Sequence, residues 1–525
     1  MESGFGGWSE PPALRKVRVR AEGRPDLPAV WSGVYLVLGS ATSTGRAVIQ
    51  LRDYQDKAIR DMRNALQSHD SILFRGPTGC GKTVIASYMA QQSAARQRKV
   101  IFGVHRIELA TQTAKTFDQF GIKYGFIAAG YGYNPFAYVQ IASADTLRNR
   151  PELIKHCRLF VPDEAHLWAS KTRSALIQAA KDEGAKVVGL SATPQRLDGK
   201  PLSMFERIVE GPSEAWLIEN GHLSEYRAYA PSRPSMDGLH TRAGDYVTEE
   251  LEERFDKPAI HGDAIQSWRK YADGKRTMVF AISRAHGQHV TDAYNAAGIP
   301  AVYIDGTTPH GERRARIEQF ADGRALILVS IALCIEGFDL SAQVGRDVPV
   351  EAVQLLNPTK SLPRARQMMG RALRPKPEPA VILDHVNIIM NADGTVNHGF
   401  PDDEREWSLA GREGKSMEGV PSFDIKNCES CFSAYRAHLP ACPYCKSDKV
   451  VKERKVEEIE GELEEIRRTE QKKRDTRQAR DLESVARLAV ERGYKPGWIA
   501  QRMKHIGSRS PSFGEIHAAM QAARQ

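Results

Sequence analysis

Gly76-Pro-Thr-Gly-Cys-Gly-Lys-Thr83 is the stretch that most limits what this chain can become. Its spacing is G-x-x-x-x-G-K-[ST], and such a loop works only between the end of a strand and the start of a helix. The glycines let backbone N–H groups face a phosphate, and the dipole at the N-terminus of the next helix adds to the field. Lys82 supplies a point charge to the β and γ phosphates of a nucleoside triphosphate. Thr83 supplies a hydroxyl ligand to magnesium. Every position of the loop is thus a candidate for nucleotide binding: Gly76, Pro77, Thr78, Gly79, Cys80, Gly81, Lys82 and Thr83.

The flanking pattern agrees. A helical pattern runs from Leu51 to Leu66, after which short apolar runs alternate with longer helical segments. The runs are Ser71–Phe74, Lys99–Val104, Val139–Ser143, Leu159–Pro162 and Lys186–Leu190, each bounded by Gly, Pro, Ser or Asp. Continuous apolar runs of this length are the mark of parallel strands buried on both faces. Alternation with helices predicts a doubly wound α/β domain. The pattern weakens between about residues 195 and 265 and then restarts at Thr277–Ile282, Ala301–Ile304, Ala325–Ser330, Ala352–Leu356 and Ala380–Asp384. That is a second α/β domain. The chain, at 525 residues, is long enough for several cores.

Two carboxylates follow the apolar run Leu159-Phe-Val-Pro162, at the strand edge where an open α/β sheet binds ligand. Asp163 is placed to hold magnesium, directly or through water, and Glu164 to polarise an attacking water as general base. The alternative is a helix N-cap with an acidic first turn. Further along, Gln367, Arg371 and Arg374 recur at spacings of four and three, which predicts one helical face. Two guanidinium groups on one face, remote in sequence from the phosphate loop, suit a γ-phosphate approached from across a cleft. In GTPases an arginine so placed is worth about three to five orders of magnitude in rate. A basic, solvated helix is the alternative.

Asp163-Glu-Ala-His166, Ser191-Ala-Thr-Pro194 and Gln367-Met-Met-Gly-Arg-Ala-Leu-Arg374 occur in that order. Together with the phosphate loop they resemble the superfamily 2 helicases and translocases. Nearest in pattern are DEAH-type members of the XPB and UvsW kind and the phage and prophage DNA repair helicases. The resemblance covers about residues 50 to 390. It implies two RecA-like domains that clamp one ATP, with Mg2+, between them. It also implies roles for single residues. Gln55 would bond the adenine edge, with Arg52 helping to hold the base. Arg106, in Val104-His-Arg106, would touch the nucleic-acid backbone, as would Ser143 and Thr146 in Ser143-Ala-Asp-Thr-Leu147, though a turn or cap explains both segments as well. Ser191 and Thr193 would couple the nucleotide state to the grip on the strand, with His166 as the relay. Ser330 to Asp339 resembles the segment that meets both the strand and the ATP ribose, where Ser330, Gly337 and Asp339 are the candidates.

The remaining segments have a different character. Cys428-Glu-Ser-Cys431 and Cys442-Pro-Tyr-Cys445 are two C-x₂-C pairs separated by ten residues. Four thiolates so arranged suit tetrahedral Zn2+, whose binding supplies folding energy that so small a module lacks. A pair of disulfides is the alternative. Nearby Lys426, Arg436, Lys446 and Lys449, with Phe432, Tyr435 and Tyr444, suit a nucleic-acid contact; a purely structural staple fits equally. Lys452–Leu482 is charged with both signs and reads as a solvated helix or as disorder. Trp498 in the last segment is a base-stacking candidate, or more simply the core of a small helical unit.

The expected architecture is α/β: two tandem RecA-like doubly wound parallel-sheet domains, then a small zinc-binding module and a helical C-terminal tail. The expected boundaries are a disordered leader over 1–47, the first domain over 48–228, the second over 229–400, the zinc module over 424–450, a charged helical linker over 451–487 and a helical unit over 488–525. Lys plus Arg exceed Asp plus Glu by nine, which favours a polyanionic partner. DNA, single-stranded or branched, is the expected partner, with RNA as the alternative; no membrane partner is expected, and protein partners stay open. Few cysteines outside the cluster and no secretory pattern lead to the expectation of a bacterial or phage-host cytoplasm. The expected activity is an ATP-dependent DNA helicase or translocase in repair, recombination or replication. An RNA helicase, or a duplex translocase of a restriction-type complex, is the alternative.

Overall fold

The apolar runs expected as strands are strands, and all but the edge run Ala301–Ile304 are largely buried on both faces. The structure is a computed structural model and describes residues 50–196, 198–230, 236, 238–242, 245–331, 339–391, 395–411, 424–447, 481–492, 494, 496–506 and 511–523. The expected leader, Gly337 and most of the charged linker lie outside these residues.

In the first lobe, β1 (Ser71–Arg75), β2 (Lys99–Val104), β3 (Tyr124–Ile127), β4 (Val139–Ser143), β5 (Cys157–Pro162), β6 (Lys186–Ser191) and β7 (Arg207–Glu210) form one sheet in the order β3-β4-β2-β5-β6-β1-β7. Every pairing is parallel. Successive side chains feed opposite cores: Phe74, Phe102, Val161 and Val188 one, Leu73, Ile101, Phe160 and Val187 the other. Burial of each such side chain contributes about 1.5–3 kcal/mol, which is why the runs carry no polar alternation.

The second lobe contains β8 (Tyr226–Tyr229), a short ribbon of β9 (Thr241–Arg242) and β10 (Asp245–Tyr246), then β11 (Thr277–Phe280), β12 (Ala301–Ile304), β13 (Ile327–Ser330), β14 (Ala352–Leu355), β15 (Ala380–Asp384), β16 (Ile425–Asn427) and β17 (Ser433–Arg436). Its main sheet runs β12-β13-β11-β14-β15-β8-β17-β16. Strands β12 to β8 in that order are parallel; β17 and β16 are added antiparallel.

The border between the lobes shifts. Strand β8 belongs to the second sheet, so the border between lobes falls before Tyr226 and not after residue 228. A four-residue strand with Arg227 inside it was too short to read from periodicity. The cysteine segment is a small module joined to the second lobe: its hairpin, β16 and β17, extends the second sheet through β8.

Residues from 450 onward form a separate compact unit. Its described part has helices Leu482–Glu491, Pro496–His505 and Phe513–Ala522 around Val485, Ala489, Ile499, Met503, Ile516 and Met520. The first helix starts at Leu482 because Asp481 caps it, accepting the Ser484 N–H at 2.8 Å. It straddles the expected border at 487/488. Trp498 packs against this core, its ring 4.7 Å from that of Tyr494. No helix of the described residues is long and apolar enough to cross a membrane.

Candidate active site

The phosphate loop joins β1 to helix Lys82–Ala95. Gly79 and Gly81 take φ of 88° and 84°, the left-handed region that side chains with a Cβ avoid. Space is lacking too, since a Cβ at Gly81 would lie 2.4 Å from Gln55 Nε2. Lys82 Nζ donates to the carbonyls of Gly76 at 2.9 Å and Pro77 at 3.2 Å, so its charge is folded over the loop. Gln55 is buried beneath. It donates to Cys80 O at 3.2 Å and accepts the Arg52 N–H at 3.0 Å, which leaves one donor and one acceptor position on its amide. Arg52 Nη1 donates to Tyr54 Oη at 3.2 Å.

Asp163 and Glu164 follow β5. Glu164 has φ 46°, a left-handed conformation that costs a non-glycine residue about 1–3 kcal/mol. Burial, then the neighbouring Glu164 charge, raises the Asp163 pKa to about 7 against the pull of Lys82. A divalent cation would reverse that shift, and Thr83 and Asp163 flank the loop where magnesium would sit; hard oxygen donors of this kind fit it. His166 Nδ1 lies 3.6 Å from Glu164 Oε2 and 3.1 Å from Ser191 Oγ, which in turn accepts the Thr193 N–H at 3.1 Å. Glu164, His166, Ser191 and Thr193 therefore form one contact chain.

The second lobe faces this chain. Helix Leu362–Gly370 starts at Ser361, whose hydroxyl caps it, and Pro363 lies in its first turn. Its Gln367 Nε2 donates to Glu164 Oε1 at 3.4 Å. Gly370 lies so close to the loop that a Cβ there would be 3.1 Å from Thr78 Cβ. The expected single face for Gln367, Arg371 and Arg374 does not hold throughout. The helix ends at Gly370, and Arg371 to Leu373 continue in tighter turns bonded to the third residue before. Arg374 therefore swings away to pair with Asp339, with both nitrogen–oxygen contacts at 3.2 Å. Burial opposes charge on Asp339, but Arg374, then Arg371, outweigh it and hold the carboxyl below its usual range. Asp339 also donates its N–H to Gln112 of the first lobe at 2.8 Å. A cleft of about 420 Å³ opens beside these residues, lined in part by His166, Arg196, Arg364 and Gln367.

The expected strand contacts are more mixed. Arg106 is half-buried. Ser143 caps helix Ala144–Asn149, accepting the Thr146 N–H at 3.2 Å, while its hydroxyl donates to Thr146 Oγ1 at 2.9 Å. Ser330 is fully buried at the end of β13. Sequence reasoning missed Trp216 and His222. Their rings pack on Tyr54 at 5.8 and 4.9 Å beside the Gln55 end of the loop. They lie between the lobes, where no periodic pattern marked them.

The four cysteines converge. Cys428 and Cys445 Sγ are 3.6 Å apart, Cys431 and Cys442 Sγ 3.7 Å. With Zn–S bonds of about 2.3 Å a regular tetrahedron has S···S edges of about 3.8 Å, so the residues fit zinc. The two C-x₂-C pairs repeat one geometry. Phe432 and Lys446 donate N–H to Cys428 O and Cys442 O, both at 2.9 Å, and both take φ near 60°. Asp256, His261 and His286 also bring ligand-type atoms within 4.8 Å of one another. However, His286 Nδ1 accepts the Ile282 N–H at 3.2 Å. The proton of the neutral ring then sits on Nε2, which has no lone pair for a metal.

A phosphate loop on one α/β lobe, an acidic pair beside it and a second lobe reaching over both define a two-lobed, RecA-like P-loop nucleoside triphosphatase. Residues 48–196 match the family described as "Type III restriction enzyme, res subunit", and residues 261–376 that described as "Helicase conserved C-terminal domain". A "51.5 kDa protein" of a Lactococcus phage is 30% identical over 340 residues, covering 64% of this chain and 68% of the phage protein. The "Putative ATP-dependent helicase IRC3" of Saccharomyces cerevisiae is 27% identical over 348 residues, covering 62% of this chain and 49% of the yeast protein. Among solved structures, the "ATP-dependent Type ISP restriction-modification enzyme LlaBIII bound to DNA" aligns with a TM-score of 0.47 at 15% identity, over 63% of this chain and 27% of that one. The chain belongs to the superfamily 2 helicases. It carries the two ATPase-type domains that these families describe, and it spans about half of the yeast relative's length.

Proposed function

We propose that this helicase works on DNA, single-stranded or branched, in repair, recombination or replication. One observation carries the motor part of that reading: Gln367 of the second lobe reaches Glu164 of the first, with Gly370 against Thr78 of the phosphate loop. An ATP seated on the loop would then be met from both sides. Lys82 leaves its loop carbonyls for the β and γ phosphates. Glu164, oriented by Gln367 and His166, takes the proton of the attacking water. Arg371 stabilises charge on the γ-phosphate from the second lobe. Arg374 holds Asp339 and with it the segment that meets the strand. Bound Mg2+, held by Thr83 and Asp163, would neutralise phosphate charge. Zn2+ held by Cys428, Cys431, Cys442 and Cys445 would fix the edge of the second sheet. The path from Glu164 through His166 to Ser191 and Thr193 links nucleotide state to the lobe interface. Arg106 is our candidate for a phosphate contact on the strand. The preference for DNA rests on the family resemblance; the net charge of +9 fits any nucleic acid.

ATPase assays with single-stranded DNA, forked DNA, duplex and RNA test this. We expect the largest stimulation by single-stranded and forked DNA; stimulation by RNA alone would sink the DNA assignment. The match to the restriction-subunit family favours a second reading, a duplex translocase. Stimulation by duplex without strand displacement would select it.

A further inference from the structure

The strand that carries the phosphate loop and the helix that carries Gln367 are tied together by one buried carboxylate. Arg75 is the last residue of β1, immediately before Gly76. Arg366 immediately precedes Gln367. Between them stands Glu214, in the helix Glu214–Glu219 that connects the lobes. Arg75 Nη2 donates to Glu214 Oε2 at 2.6 Å, and Arg366 Nη1 donates to Oε1 at 2.8 Å. The three side chains are only 5%, 11% and 4% exposed for Arg75, Glu214 and Arg366. Asp402 and Asp403, which pair with Arg436, are close enough to add to the field on Arg366. Arg366 Nη2 donates to Asp403 O at 2.6 Å, and the Trp407 ring lies 5.4 and 5.7 Å from the Arg75 and Arg366 guanidinium carbons. An aromatic face so placed attracts a cation.

Trp407 belongs to a strap that crosses both lobes. From Asp403 to Gly411 partly buried and exposed residues alternate, as in an extended chain lying on a surface. Asp403, Arg405, Trp407 and Leu409 turn inward. At one end Asp402 and Asp403 pair with Arg436 of the cysteine hairpin; at the other, Leu409 accepts the Leu202 N–H at 2.8 Å and packs in a core of the first lobe.

We propose that the Arg75–Glu214–Arg366 joint, capped by Trp407, is a positioning device for ATP hydrolysis that fixes the register between the phosphate loop and the helix bearing Gln367. An apolar filling of equal volume would stabilise such a spot as well or better, so what the ions contribute is a geometry with little tolerance. Arg75 adjoins Gly76 of the phosphate loop and Arg366 adjoins Gln367, which holds Glu164, and a misplacement of about 1 Å there costs up to about a hundredfold in rate. The proposal rests on the reading of Gln367 and Arg371 as the arms of the second lobe.

Glu214→Gln in the full chain tests it, with basal ATPase as readout. We expect kcat to fall about tenfold or more while KM for ATP moves less than about threefold. Should loss of the charge unfold the protein, a triple variant with Arg75→Met, Glu214→Leu and Arg366→Met removes all three ions together and should show the same split. Wild-type kcat in either folded variant overturns the proposal. So does a loss of kcat matched by an equal rise in KM and a fall in Tm, which marks a staple with no positioning role. Stimulation of the wild type by nucleic acid is scored separately. Its absence would remove the motor reading of the preceding subsection, whereas the basal rate alone decides the joint.

Discussion

The two lobes share a strand grammar but differ at their edges and in their charges. The first is wholly parallel, and its acids, half-buried Asp163 and buried Glu164, stand side by side; desolvation and mutual repulsion raise the Asp163 pKa. The second carries the complementary sign, and its Arg374 is already neutralised by Asp339. Its sheet is also finished differently, by an antiparallel hairpin whose cysteines are in zinc-like geometry. The contrast teaches a division of labour. One lobe offers a phosphate cradle and carboxylates that need a cation. The other offers cations on a sheet extended at its far edge by the cysteine hairpin.

Arg371→Ala probes the second lobe most directly. If the second lobe supplies charge to the nucleotide, turnover should fall about a thousandfold with ATP binding retained, as read by steady-state ATPase beside equilibrium binding. Unchanged turnover would reduce the second lobe to a scaffold. Glu164→Gln addresses the opposite lobe and should cost about a hundredfold or more in kcat while sparing ATP affinity. Retained turnover would place the base elsewhere. The smallest effect on chemistry is expected from the cysteines. Cys445→Ser should abolish zinc binding, measured as metal per chain, and raise hydrogen exchange in β16, β17 and β8 while β1 to β7 stay protected. Equal loss of protection in both lobes would end the idea that the metal frames only one.

How much of this the residues announced depends on how each signal is built. The phosphate loop was legible because its function is a local backbone shape, which Gly79 and Gly81 write directly into the sequence. Long double-buried strands such as β2 and β6 were legible for a similar reason. Short strands were not: β8, β16 and β17 exist because neighbours complete their hydrogen bonds, and nothing in Tyr226–Tyr229 alone says so. The Gln367–Arg371–Arg374 trio was half legible. Spacing predicted a shared face, but a tight turn after Gly370 redirected Arg374 to Asp339.

The chemistry available is written in the residues: a lysine over a glycine loop, an acidic pair after a strand, two arginines and four paired cysteines. Each of these is encoded within a few neighbouring residues, where local sterics and spacing suffice. Which groups meet is set by the packed fold. Glu214 joins Arg75 to Arg366 across 139 and 152 positions of chain, and Trp407 covers both. Contacts of such separation leave no period in the sequence, because they are selected by the packing of finished elements and not by the order in which the residues are written.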